Sequence, residues 1–207
     1  MPGPATGGRF PGFDVLDLVP SWDPATASVV LSRLGTLPDL RFFTPAEEAA
    51  GRALCDQLLA QDGEQRVPVL DFIDARLADG QTDGWRYEDM PEDGQAWRES
   101  LSYLNEDAQE KFGQPFACCL AADQRALIQA IQDAGSARWH DLTAAHVWSL
   151  WTRYACTAFY GHPQAWSEIG FPGPAYPRGY KNPGVDTREP FEVPDAAPAD
   201  DPTRGSS

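Results

Sequence analysis

The apolar positions of this chain recur mostly at steps of three and four residues, the spacing of one helix face. The first such segment opens at Asp23-Pro24, an N-cap followed by proline at the first helical position. It runs through Val29, Val30, Leu31 and Leu34, and Gly35 and Pro38 close it. The second opens at Thr44-Pro45-Ala46-Glu47, where a capping box and a first-turn proline answer amide donors that a helix start leaves unpaired. Ala50, Leu54 and Leu58 carry it to about Gln61. A third opens at Pro68, places Leu70, Ile73 and Leu77 on one side, and ends at Gly80. Trp97, Leu101, Leu104, Ala108 and Phe112 form the stripe of a longer helix bounded by Gly113 and Pro115. Leu127, Ile128 and Ile131 belong to a fifth, from Leu120 to Ala134, with Gly135 after it. The sixth is expected to be capped by Asp141 and to run to Tyr160. Leu142, Val147, Trp148, Leu150, Trp151, Tyr154, Ala155, Ala158 and Phe159 cover so much of its circumference that it is expected to be central.

Alternating strand patterns bounded by hairpin turns are scarce, so the fold class is all-α, a single bundle of about five or six helices. Four regions follow. Residues 1–22, rich in Pro and Gly, read as an extended N-terminal arm, and 23–161 as the helical core domain. Residues 162–188 read as an extended tail, and 189–207 as a disordered C-terminus. Nine of the 19 prolines fall between Pro163 and Pro202, which argues against helix or interior strand in the tail. Yet Trp166, Ile169, Phe171, Tyr176 and Tyr180 are too apolar for a solvated linker. Two readings stay open: the tail wraps back on its own bundle, or it docks in a groove of a partner with these five residues as contacts.

Composition narrows the choice of partners. The formal net charge is −15, and the stretch Asp79–Glu110 alone holds ten acids against Arg86 and Arg98. Such a surface repels phosphate backbones and anionic lipid, so neither nucleic acid nor a membrane surface is expected as a partner. The acidic stretch itself reads as a solvated face or as a docking surface for a basic partner. No apolar run approaches the length needed to cross a bilayer, and the N-terminus resembles no export signal. The expected location is therefore cytoplasmic, or periplasmic if a partner carrying the signal exports both chains. Cys55, Cys118, Cys119 and Cys156 fit ordinary buried thiols.

No catalytic or cofactor motif is visible: no GxGxxG or Walker loop, no GxSxG elbow, no HExxH pair, no CxxCH. His140 and His146 are six residues apart, about 600° of helical rotation, and would not face one ligand together. His140 reads as a helix-start contact beside Asp141, and His162 as a C-terminal cap. The cluster Trp148, Trp151, Tyr154 and Tyr160 reads as core, or as a platform for stacking a sugar. No catalytic, cofactor-binding or metal residue is assigned.

The order of the segments resembles the gluconate 2-dehydrogenase subunit 3 family over about residues 42–181. Phe43-Thr44-Pro45-Ala46-Glu47-Glu48 is similar to its opening helix, and Pro68-Val69-Leu70-Asp71-Phe72-Ile73-Asp74 to its second segment. Phe112-Gly113-Gln114-Pro115-Phe116 with Asp123-Gln124 is similar to its middle. Thr157-Ala158-Phe159-Tyr160-Gly161-His162 and Ile169-Gly170-Phe171-Pro172-Gly173 resemble its close. The resemblance implies a non-catalytic small subunit that accompanies a large glucose–methanol–choline-type flavoprotein oxidising a sugar or polyol. FAD is then expected on the partner and no cofactor on this chain. Two alternatives remain: a stand-alone all-α enzyme with its own carboxylate and aromatic pocket, and an interaction module unrelated to redox chemistry.

Overall fold

A computed structural model describes residues 10–35, 38–63, 66–181, 184–185 and 187–194. Among these the chain is all-α, with seven α-helices and one two-stranded hairpin. The helices are α1 (Pro24–Ser32), α2 (Pro45–Leu58), α3 (Val69–Ala78), α4 (Asp93–Phe112), α5 (Ala121–Ala134), α6 (Ala144–Tyr160) and α7 (Pro163–Ile169). The chain divides into two compact units, Leu37–Phe159 and the two ends together, Met1–Thr36 with Tyr160–Ser207. The division departs from the expected regions, because α1 groups with the ends rather than with the helical core. The expectation of disorder over 189–207 falls largely on 195–207, outside the described residues.

Local chemistry explains the first two helix starts. Asp23 accepts from the amides of Ala25 and Thr26, with Pro24 at the first helical position. At α2 the whole capping box is present: Thr44 accepts from Glu47 N, and Glu47 accepts from Thr44 N at 2.7 Å. Gly113, left-handed at φ +70°, stops α4.

In the unit Leu37–Phe159, α2 packs against α3, α4, α5 and the 3-10 turn Phe116–Cys118. α2 thus has the closest backbone neighbours, while α6 buries Ala144, Val147, Leu150, Trp151, Tyr154, Ala155 and Phe159, as expected of a central helix. The small residues Ala50 and Gly51 on the buried face of α2 let neighbours close in; a Cβ on Gly51 would lie 2.7 Å from a Leu70 methyl. α6 reaches α4 through long aromatic side chains instead: Trp151 Nε1 donates to Ser100 Oγ at 2.9 Å, and Tyr154 sets its edge against Trp97 at 5.9 Å. Trp97, Leu101, Leu104 and Ala108 are buried as their spacing predicts, whereas Phe112, at the last turn of α4, is exposed.

α6 starts later than expected. Leu142–Thr143 pairs antiparallel with Arg138–Trp139, so His140 and Asp141 form a two-residue hairpin turn. His140 takes φ +49° there and is held in place by Asp107 Oδ1 at 2.8 Å and a stacked Tyr103 ring at 4.4 Å. Asp141 therefore caps no helix; it accepts from the Tyr103 hydroxyl at 3.4 Å.

One buried charge organises the entry to α2. Asp74, on α3, is 2% exposed and accepts three main-chain amides: Arg41 at 2.7 Å, and Phe42 and Phe43 at 2.9 Å each. The carboxylate fixes Phe43 edge-on against Trp97 at 6.1 Å. Burying an ion is tolerated here because its oxygens are fully engaged by donors.

Candidate functional site

The segment after α6 is the one whose sequence read as a partner contact. Pro163 does not break a helix; it starts one. His162 supplies the N-cap, its Nδ1 accepting from Gln164 N at 3.2 Å, and Pro163 stands at the first position, where its missing amide costs nothing. His162 is thus an N-cap rather than the expected C-terminal cap. The resulting helix α7 ends at Gly170, left-handed at φ +68°.

The N-terminal arm is not extended throughout. Asp14 accepts from Leu16 N at 2.9 Å and starts a 3-10 helix, Val15–Ser21. Val15, Trp22, Val30 and Trp166 then form one buried cluster, with Phe13, Leu16, Leu18, Val19 and Ala27 around it. The arm and the tail build a core together. Val15 N donates to Ser167 Oγ at 3.1 Å across 152 residues of chain.

Trp166, expected to face a partner, is 6% exposed inside this cluster. Its Nε1 donates to Tyr160 O at 2.6 Å, Phe171 sets an edge against it at 5.4 Å, and the Arg33 guanidinium lies 5.8 Å from the ring. A ring satisfied in this way belongs to the unit's own core. The other four residues differ. Ile169 and Phe171 are exposed, and Tyr176 and Tyr180 are 69% and 62% exposed.

The glycines of the closing segment have a steric reason. Gly170 lies under Phe10, where an added Cβ would be 2.6 Å from the ring, and Gly173 (φ +73°) lies under Trp22 at 2.5 Å. Arg178 then fastens the turn: it donates to Pro172 O at 3.0 Å and to Ser21 Oγ at 3.3 Å, and stacks over Phe191 at 3.8 Å.

His162 makes this unit pH-sensitive. Its Nε2 faces the Arg33 carbonyl at 3.2 Å while Nδ1 accepts an amide, so the folded ring is neutral with the proton on Nε2. Burial disfavours the imidazolium and holds the pKa below its ordinary 6.5. The unfolded chain then binds more protons than the folded one in that range. This contribution is fully present above pH 6.5 and is lost as pH falls through the lower, folded value. We expect tryptophan fluorescence to report a loosening of the arm–tail unit below about pH 6.5 and above the carboxylate range. His162→Asn, which can cap but does not titrate, should remove that slope; a slope that persists would assign it to another group.

A second polar cluster surrounds the acidic loop 79–92. Asp83 is paired with Arg76 at 2.8 Å and with Arg153 at 2.5 Å, and Arg153 stacks over Trp85 at 4.4 Å. Buried Asp93 accepts from the Tyr154 hydroxyl at 2.7 Å and lies 3.9 Å from Arg153. Burial first, then this hydrogen bond, pushes the Tyr154 hydroxyl well above its ordinary pKa. Further along, Asp89 accepts from Thr143 at 2.6 Å and pairs with His146 at 2.8 Å, and His146 stacks flat on Tyr87 at 3.7 Å. The Thr143 hydroxyl, and with it the His146 ring, holds the Asp89 carboxyl below its ordinary value. These carboxylates meet guanidinium, imidazole and hydroxyl groups, which fastens the loop through ion pairs.

The aromatic cluster of α6 divides. Trp151 and Tyr154 are buried, Trp148 is half-buried and Tyr160 is exposed. All four cysteines are free. Cys55 and Cys119 are buried as expected, and desolvation pushes the Cys55 thiol up to about 12. Cys118 and Cys156, by contrast, are exposed. Among the described residues no group of three His, Cys, Asp or Glu side chains is placed to hold a metal ion, and no helix is long and apolar enough to cross a membrane.

Comparison with known proteins adds one finding. No curated protein and no solved structure matches the chain. The model of the family described as gluconate 2-dehydrogenase subunit 3 matches residues 45–173, from the capped start of α2 to the glycine under Trp22. That match spans well over half of the 207 residues, and the chain belongs to the gluconate 2-dehydrogenase subunit 3 family.

Proposed function

We propose that this chain is the non-catalytic small subunit that binds and stabilises a large FAD-dependent oxidoreductase of the glucose–methanol–choline type, acting on a sugar or polyol. The family match supports an accessory role in a dehydrogenase complex. The observation that carries the finer reading is the exposure of Ile169, Phe171, Tyr176 and Tyr180 beside the last matched residues. Large side chains left outside a well-packed core, and spread along a segment rich in Pro and Gly, suit a surface completed by another protein. Trp166 and the arm supply the rigid backing, so these side chains are presented with little ordering cost on docking. FAD and the catalytic base reside on the large chain. The complex forms in the cytoplasm, or is carried out by the large chain's signal.

Co-expression tests this directly. The isolated small chain should be colourless, and the complex with the large chain should carry one flavin per pair by its visible spectrum. A stoichiometric flavin spectrum from this polypeptide alone would overturn the proposal.

A further inference from the structure

The distribution of exposed apolar side chains points to more of the docking surface than the tail. Nine of the thirteen large exposed ones among the described residues belong to the arm–tail unit, the smaller of the two units. Three of them, Val29, Leu31 and Leu34, lie on α1 or just past its end. From Pro24 to Ser32, α1 has no charged residue, in a chain that is 23% charged. An exposed helix on a monomer ordinarily carries charge on its outer face. α1 buries Val30 in the unit's core yet leaves Val29 57% exposed. The tail differs in sign from the rest of the molecule: Phe171–Arg188 carries Arg178, Lys181 and Arg188 against Asp186, a net of +2 in a chain of −15.

Resting on the proposed accessory role, we infer that α1 docks on the large flavoprotein chain together with the tail, against an apolar groove with an acidic rim. The outer face of α1, with Val29 and Leu31 exposed and no charge, suits an uncharged and largely apolar floor, since an ion opposite it would be desolvated without a partner. Tyr176 and Tyr180 are amphipathic anchors, and Lys181 and Arg188 on the same segment complement carboxylates at the groove's edge. The N-terminal region, which lies outside the family-matched segment, is therefore part of the interface as well as a support for it.

The test uses the full chain with the co-expressed large subunit and measures affinity at low and high salt. Val29→Glu with Leu34→Glu should weaken the complex at least tenfold at both salt concentrations. Lys181→Glu with Arg188→Glu should weaken it about tenfold at low salt, with a difference that shrinks at high salt as the charges are screened. Circular dichroism and tryptophan fluorescence of each isolated variant should match the parent, which separates docking from folding. Unchanged affinity in both variants while the complex still forms overturns the docking surface and leaves the accessory role standing. If instead the isolated chain is a dimer by light scattering and Val29→Glu with Leu34→Glu makes it a monomer, a second copy covers α1 and the inference is wrong. If no complex forms with any large flavoprotein, the accessory role fails and this inference fails with it.

Discussion

Replacing Asp74 by Ala is expected to destabilise the helical unit by about 3 to 5 kcal/mol, a large share of the stability of a domain this size. The carboxylate is 2% exposed and answers the amides of Arg41, Phe42 and Phe43 together. Removing it leaves three main-chain donors without their acceptor, that of Phe43 in a buried site. It also releases Phe43 from its edge contact with Trp97. Arg98, which donates to Phe42 O at 2.5 Å and lies over the Phe42 ring at 4.3 Å, holds the same segment from the α4 side and limits the loss. Asp74→Asn keeps one acceptor oxygen, so it should fall between the parent and Asp74→Ala. Urea melts check the series. A loss under ~1 kcal/mol for Asp74→Ala would mean that the three amides find other acceptors.

Trp166→Ala should cost about 3 to 5 kcal/mol, felt in the arm–tail unit. The ring fills the centre of a cluster drawn from both chain ends, and its Nε1 bonds Tyr160 O. Amide exchange should accelerate at Val15–Ser21 and Pro163–Ile169 alike, because Val15 N is tied to Ser167. Tyr176→Ala should leave exchange in these segments unchanged and lower affinity for the proposed large chain instead. The reverse pattern, with Trp166→Ala sparing exchange and abolishing only assembly, would return Trp166 to the role of a partner anchor.

How much of this was legible depends on the distance in sequence over which each interaction is made. The Asp23 and Thr44 caps, the Gly113 stop and the buried stripe of α4 are local events. Each is decided by residues within one or two turns, so the sequence by itself determined that these helices exist, where α1 and α2 begin and where α4 ends. The same logic misread Pro163. Proline breaks a helix interior but favours a first turn, and a cap at His162 makes it a start. Hydrophobic content pointed to α6 as a central helix, and the face it buries agrees. What the pattern did not mark is the close packing around α2, because close approach depends on what a side chain lacks as well as on what it buries.

The long-range pairings were decided by tertiary structure alone. Asp74 meets its amides more than thirty residues away, His146 meets Asp89 across 57, and Val15 meets Ser167 across 152. No periodicity marks these partners, since each is brought into reach only when the intervening helices pack. The aromatic residues after His162 show the division most clearly. Sequence determined that five large apolar side chains there needed cover. Tertiary structure decided that Trp166 receives it from the N-terminal arm while Ile169, Phe171, Tyr176 and Tyr180 stay outside, because burial is a property of what lies opposite a side chain.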